Sequence, residues 1–186
     1  PAVGGPLAGE FNVEFTALDL GGELDRFQAR LNDREQQLDI LESMLNDRKL
    51  RDERWLSGRP VQKGWVSSHY GQRTDPFTGK PAMHNGLDFA GVDGSDVIAV
   101  AAGVVTLSEQ KSGYGHMIEL SHGDGYVTRY GHNKKNLVDT GDVVHKGDVI
   151  ALMGNSGRST GAHVHYEVYK HGRSVDPSSY VARTRR

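Results

Sequence analysis

Two short segments of this chain carry residue types that are suited to binding a metal ion. His163 and His165 are two residues apart, and this spacing places both imidazoles on one face of a β-strand. His84 and Asp88 are four residues apart and would also share a face if one strand carried both. Three such groups converging from two strands would supply two nitrogens and one oxygen and leave a fourth tetrahedral position for water. Catalytic zinc sites have this composition, whereas structural zinc sites are closed by protein ligands.

The spacing alone does not establish metal binding, because histidine has several other roles in proteins. It also does not decide which member of the His163 and His165 pair would be the ligand. His84 and Asp88 could instead form a turn and the start of a strand, with Asp88 as a cap. Gly86 between them permits close approach of the backbone to a metal. Five further histidines lack a partner pattern, and we interpret them as surface or local hydrogen-bonding groups: His69, His116, His122, His145 and His171.

Downstream of residue 60 the pattern is that of short β-strands separated by turns. Glycine accounts for 24 of the 186 residues, and most glycines follow residue 57. Strands this close together leave no room for the crossover helices of a parallel sheet. We therefore predict a mainly β domain with an antiparallel, barrel-like sheet, built from runs at 97–100, 103–107, 116–120, 126–130, 148–152 and 163–168.

Residues 24–50 have a helical pattern instead, with apolar side chains at alternating spacings of three and four, interrupted by Arg34. This seam predicts an amphipathic, coiled-coil-like helix that ends before Gly58 and Pro60. Its apolar face would pack on the β domain, on a second copy of the chain or on a partner helix. The predicted organisation is a linker or weak strand at 1–22, the helical arm at 23–57, the β domain at 58–180 and a basic tail at 181–186. The seam residues are Leu24, Phe27, Leu31, Leu38, Leu41 and Leu45.

The overall composition excludes several classes of function. A formal net charge of −2 gives no basis for nucleic-acid binding, and no apolar run approaches the ~18 residues that span a bilayer. The chain has no cysteine, so metal ligands must come from histidine and carboxylate groups. It begins at Pro1 without a signal peptide. We expect a processed or truncated chain, whose missing upstream segment is the place for a membrane anchor.

Three sequence blocks resemble the lysostaphin/LytM-type zinc peptidoglycan endopeptidases, and they occur in that family's order. One block alone is a weak signal, but three in register are specific. The similarity extends from about Gly64 to Pro177. The blocks are His84-x-Gly86-x-Asp88, Tyr130-Gly131-His132 and Ser159-Thr160-Gly161-Ala162-His163-x-His165-x-Glu167-Val168.

The resemblance implies one zinc ion per chain, held by residues His84, Asp88 and His165. It places His132 and His163 beside the metal-bound water, and it leaves open which of the two is the base. It also implies an endopeptidase that hydrolyses the peptide stems or cross-links of bacterial peptidoglycan, in the periplasm or elsewhere in the cell envelope. The helical arm and the lack of a polyglycine-binding module favour a D,D-type cross-link as the substrate.

The chain departs from the family pattern at two places. Asn133 follows His132 where the family usually has Leu, and we expect this change to affect the wall of the substrate groove. Phe77 and Thr78 stand where some members carry a Tyr that stabilises the oxyanion. In this chain, stabilisation of the oxyanion would have to come from His132, His163 or the metal. Two other hypotheses remain open. One is a non-catalytic activator or binding module of a cell-wall hydrolase complex, and the other is an interaction role centred on the 24–50 helix.

Overall fold

A long helix precedes the β domain. The computed structural model describes residues 17–181, and its helix α1 spans Ala17–Arg54. The helix begins upstream of the predicted residue 23. Leu20, four residues before Leu24, continues the apolar pattern in that direction. Residues 17–22 are therefore helical, while the rest of the predicted weak strand and most of the predicted tail lie outside the described residues. The chain divides into two units, residues 1–48 and 49–186. Between residues 17 and 181, no helix has the length and apolar character that a membrane crossing requires.

The second unit contains an antiparallel β domain, which confirms the predicted fold class. The main sheet has the strand order β1-β4-β11-β8-β7-β6-β9, with β12 on β11 and β10 pairing with both β8 and β5. Strands β2 and β3 form a separate hairpin. The elements are β1 (Trp65–Ser68), β2 (Gly71–Thr74), β3 (Pro81–His84), β4 (Leu87–Ala90), β5 (Asp96–Ile98), β6 (Gly103–Lys111), β7 (Gly115–Gly123), β8 (Tyr126–Asn136), β9 (Val143–Val144), β10 (Val149–Met153), β11 (His163–Lys170), β12 (Arg173–Val175) and the short helix α2 (Ser178–Val181).

All six β runs predicted from the sequence overlap strands, although β5 ends at Ile98 and so includes only half of the run predicted at 97–100. Strands β6 and β8 extend further than predicted because the β6-β7-β8 meander continues their pairing. The first four strands were not predicted, since each has only four residues and little apolar alternation. Strand β2, for example, reads Gly-Gln-Arg-Thr. These short strands matter for function, because two of them carry site residues.

Strand β11 shows how the core and the site share one element. It pairs with β4 along one edge and with β8 along the other. Val164, Tyr166 and Val168 are fully buried in the hydrophobic core. Because strand side chains alternate, His163, His165 and Glu167 lie on the opposite face. Packing of one face of β11 in the core therefore fixes the position of the side chains on its other, functional face.

Candidate metal centre

Three strands, rather than the predicted two, bring His84, Asp88 and His165 together. Strand β3 ends at His84, whereas Asp88 belongs to β4 in the other sheet, so the expectation of one shared strand face was wrong. The reason is Gly86, where the chain passes very close to β11. A Cβ at this position would lie 2.6 Å from the Tyr166 carbonyl oxygen and 2.8 Å from Cε1 of His165. Glycine therefore allows the chain to change strands directly against a site residue.

The side-chain atoms of these three residues converge on one point. Asp88 Oδ1 lies 2.8 Å from His165 Nδ1 and 3.1 Å from His84 Nε2, and the two nitrogens are 3.1 Å apart. A tetrahedral zinc ion with bonds of about 2.0–2.1 Å requires ligand atoms roughly 3.3 Å apart. Asp88 and His165 are directly paired in the β4–β11 register, which fixes their approach. The donor set and its spacing fit a zinc ion with little rearrangement.

Hydrogen bonds on the far sides of the imidazoles assign which ring nitrogen faces the cluster. His84 Nδ1 lies 2.7 Å from the His69 carbonyl oxygen, so it carries the proton and leaves Nε2 as the acceptor. His165 Nε2 lies 3.0 Å from Glu167 Oε1, so it donates there, and Nδ1 is the nitrogen that a metal ion would take once its proton is released. Such outer partners are usual for metal-binding histidines. The two histidines thus offer different ring nitrogens to the same point.

The electrostatics of the cluster favour a positive charge at its centre. Burial raises the pKa of the Asp88 carboxyl, but its close contacts with the His165 and His84 rings outweigh burial and hold the Asp88 pKa well below its usual range. Burial also opposes protonation of His165, but the carboxylates of Asp88 and Glu167 outweigh it and raise the His165 pKa to about 9. A ring that holds a proton this firmly lies in a negative potential. The same negative potential would stabilise a bound cation.

Glu167 and Tyr114 are site residues whose roles the sequence analysis did not identify. Glu167 is 1% exposed, and its Oε1 accepts hydrogen bonds from His165 and, at 3.0 Å, from the Tyr114 hydroxyl. Its Oε2 lies 3.7 Å from the guanidinium of Arg129, which also binds Glu119 at 2.7 Å. The spacing of Glu167 from His165 was a usable signal, since residues i and i+2 share a strand face. Tyr114 gives no comparable signal, because it reaches the site from a loop distant in sequence.

The structure also brings His132 and His163 to the cluster. Their ring centroids are 4.7 Å apart, and His163 Nε2 lies 3.7 Å from Asp88 Oδ1. Nδ1 of His132 lies 2.7 Å from the Ser156 carbonyl oxygen, and Nδ1 of His163 lies 2.8 Å from that of Gly161. These bonds assign the ring protons to Nδ1 and leave Nε2 of both rings with a lone pair. Burial lowers the pKa of His132 to about 4, so this ring is neutral at neutral pH.

The backbone at His132 has a strained conformation, and this conformation sets the direction of the side chain. Its φ is 63°, a left-handed conformation that non-glycine residues rarely adopt. The β7–β8 register shifts at this point, between the pairs formed by His116 and Ile118, so β8 is bulged here. A bulge turns a side chain away from the direction that regular alternation would give it. Strain of this kind is often found at functional sites.

The five residues line a groove of about 290 Å³. One wall carries Arg158, whose Nη2 donates to both carboxylate oxygens of Asp75 at 2.7 Å and whose guanidinium stacks over the ring of Phe77 at 4.6 Å. Arg73 lines the same groove 3.5 Å from Asp88 Oδ2.

Asn133 does not line the groove, so the expectation of an effect on the groove wall was wrong. Asn133 is fully buried, and its amide donates to Tyr130 O at 3.1 Å and Asn136 Oδ1 at 3.0 Å.

An antiparallel β domain with a buried His/Asp/His cluster beside two more imidazoles is the arrangement expected of a hydrolytic metal centre. Comparison with known families agrees with this class. The chain belongs to peptidase family M23, whose model matches residues 82–177, just over half of the 186 residues. The resemblance noted in the sequence is thereby confirmed.

Similar proteins include enzymes that act on the bacterial cell wall. The chain is 41% identical over 119 residues to the peptidoglycan DD-endopeptidase ShyA of Vibrio cholerae, covering 63% of this chain and 28% of that protein. A zinc-containing peptidase from Vibrio cholerae is 36% identical with a TM-score of 0.64, covering 71% of this chain and 41% of that one. The catalytic domain of lysostaphin from Staphylococcus simulans is 28% identical with a TM-score of 0.60, covering 64% of this chain and 93% of that one. The chain spans about a quarter to two fifths of the length of the curated relatives it matches.

Proposed function

We propose that this protein is a zinc-dependent endopeptidase that hydrolyses peptide bonds in bacterial peptidoglycan. The observation that carries the proposal is the convergence of His84, Asp88 and His165 within 3.1 Å of one another. Two further imidazoles, of His132 and His163, stand beside that point with their Nδ1 positions already bonded. Three ligands with proton-transfer groups beside them are what metal-assisted hydrolysis requires.

The five residues divide into ligands and proton carriers. His84 Nε2, Asp88 Oδ1 and His165 Nδ1 would hold one zinc ion, which when bound polarises the scissile carbonyl and acidifies a water molecule. His132 is neutral at neutral pH, so its Nε2 can accept a proton from the attacking water. His163 Nε2 is the other acceptor, and the protonated form of either ring can return that proton to the leaving amine. An imidazole suits this exchange because its free ring nitrogen can take up a proton and release it again.

The substrate assignment rests on the family and on the groove. The similarity to ShyA, named as a peptidoglycan DD-endopeptidase, supports a D,D-type cross-link in peptidoglycan. The groove is open and carries the guanidinium of Arg73 close to the cluster, a group suited to a carboxylate-bearing peptide. A cell-wall substrate would place the protein in the cell envelope, and in a Gram-negative cell this means the periplasm.

Metal content and turnover, measured on the same preparations, test the ligand and proton-carrier roles separately. We expect His165→Ala to lose both zinc and hydrolysis of purified sacculi. His132→Ala should keep zinc near one ion per chain while hydrolysis falls by about 10²–10⁴-fold, as expected for a lost acid or base. His163→Ala should behave in the same way, with at most a small loss of zinc affinity.

A matched control is available for the strained backbone of His132. His171 also has a positive φ, of 49°, and lies outside the groove, so His171→Ala should leave both zinc content and turnover unchanged. If His132→Ala loses its zinc, or His165→Ala keeps it, the ligand assignment is wrong. Hydrolysis that survives complete metal removal would contradict the metalloenzyme proposal. Sacculus binding without any released peptide, by a zinc-loaded protein, would instead support the alternative of a non-catalytic binding module.

A further inference from the structure

The apolar seam of α1 is a regular heptad pattern on an exposed helix face. In heptad notation, one row occupies the a positions, and a second row, in which only Arg34 is charged, occupies the d positions. Every apolar member is exposed, from 43% for Leu31 to 65% for Leu45. Contiguous exposed apolar surface of this kind marks an interaction site. The a positions are Leu24, Leu31, Leu38 and Leu45, and the d positions are Leu20, Phe27, Arg34 and Leu41.

The charges beside the seam indicate what covers it. In a parallel, in-register pair of helices, each g residue lies beside the e residue five positions later in the partner. This places Arg30 beside Glu35 of a second copy, an attractive pair that occurs twice by symmetry. The other three g–e′ combinations carry no like charges: Glu23 with Gln28, Gln37 with Glu42, and Met44 with Lys49.

Other alignments of two copies lose this complementarity. The antiparallel alignment that matches the a and d rows pairs Arg30 with Gln37 and Gln28 with Glu35, so it gains no opposite charges. Shifting that alignment by one heptad places Arg30 opposite Arg30, or Glu35 opposite Glu35. A parallel shift by one heptad brings Glu23 against Glu35, and this repulsion offsets its one attractive pair, Arg30 with Glu42. Charges flanking a seam select partner, orientation and register, so the parallel in-register pair is favoured.

Arg34, the charged residue in the d row, is compatible with this arrangement. Its guanidinium donates to Gln37 Oε1 at 2.9 Å, and Gln37 is the g residue that flanks the seam. The charge is therefore held at the edge of the seam, where only the aliphatic stem needs to be covered. In a parallel pair the d residue also packs beside the partner's e residue, which is Glu35.

We propose that α1 forms a parallel, in-register, two-stranded coiled coil with a second copy of this chain, with Arg30–Glu35 pairs on both sides of the seam. Sedimentation equilibrium of the intact chain should give twice the monomer mass. Arg30→Glu or Glu35→Arg alone should weaken the dimer by roughly tenfold, because each change creates two like-charge pairs. The double variant Arg30→Glu/Glu35→Arg should restore the dimer. Within one helix these residues are five apart and do not face each other, so recovery requires a second chain.

A cross-linking experiment tests the orientation independently. The chain has no cysteine, so Leu41→Cys introduces a single thiol at a d position. In a parallel, in-register pair the two thiols meet, and mild oxidation should give a disulfide-linked dimer. Gln36→Cys, at the outward f position, should not cross-link. A monomer in solution, a dimer that the double charge reversal does not restore, or the absence of a Leu41→Cys cross-link would each overturn the proposal.

Discussion

Replacing Glu167 with Gln should weaken zinc binding without unfolding the protein. The substitution keeps size and shape, and an amide oxygen at the Oε1 position can still accept the hydrogen bonds from His165 and Tyr114. The negative charge beside His165 is lost, however. Hydrogen bonds to charged groups contribute about 1.5–3 kcal/mol and neutral ones about 0.5–1.5 kcal/mol. The midpoints of these ranges differ by about 1.25 kcal/mol, which corresponds to roughly eightfold weaker zinc affinity, close to the lower end of the ~10–100-fold typical of outer-sphere partners.

The affinity should be measured by competition with a chromophoric chelator at fixed pH, with thermal unfolding of the metal-free protein recorded in parallel. Glu119→Gln is the matched control, since Glu119 binds the same Arg129 guanidinium but does not contact His165. We expect the control to leave zinc affinity unchanged. Equal affinity in the parent and in Glu167→Gln would refute the reasoning that the carboxylate strengthens His165 as a ligand. A variant that is unfolded without metal would show that Glu167 acts on the fold instead.

Three further changes test other parts of the structure. Gly86→Ala should reduce zinc affinity and lower the unfolding free energy by about 1–3 kcal/mol, because its methyl group overlaps His165; Gly161→Ala, which has open space, should not. His122 is buried and its pKa is lowered below 6.5, so the unfolded chain binds more protons as pH falls through 6.5. Its contribution to stability is therefore present above that pH and is lost below it, and His122→Gln should flatten the pH dependence of urea unfolding between pH 7 and 5. A chain cut before Lys49 should fold, bind zinc and keep activity equal to or greater than the parent, since Leu56 in the core and the Glu53 carbonyl bonded to Ala102 both remain; failure to fold would show that the arm is needed.

The sequence predicted the parts of the fold that depend on strong local periodicity. The apolar seam identified α1, and alternation bounded by glycine turns identified the strands of the β6-β7-β8 meander and β11. The strands β1 to β4 were not predicted because each has only four residues, and their strand conformation depends on tertiary context more than on a local pattern. The pairing of Asp88 with His165 spans 77 positions, and no local pattern encodes it.

The candidate site was predicted only in part, for a similar reason. Spacing and family resemblance together gave the five central residues, and the structure brings all five to one groove. The supporting groups were not predicted, since Tyr114 and the carbonyl oxygens of His69 and Ser156 act through tertiary contacts. The left-handed backbone at His132 was also invisible in the sequence, because only a small fraction of histidines adopt that conformation. The metal-ligand and catalytic roles stay predictions until zinc content and turnover are measured.

The three-strand origin of the cluster has a consequence for the lifetime of the protein. A metal ion held by β3, β4 and β11 would join segments 81 positions apart, as a reversible crosslink in a chain with no cysteine. Such a ligand stabilises the folded state by about 4.1 kcal/mol when its free concentration is 1,000 times Kd. Chains deprived of metal would open more often and be degraded sooner by neighbouring proteases. The amount of folded protein would then follow the supply of zinc, so that metal scarcity would limit its abundance as well as the proposed activity.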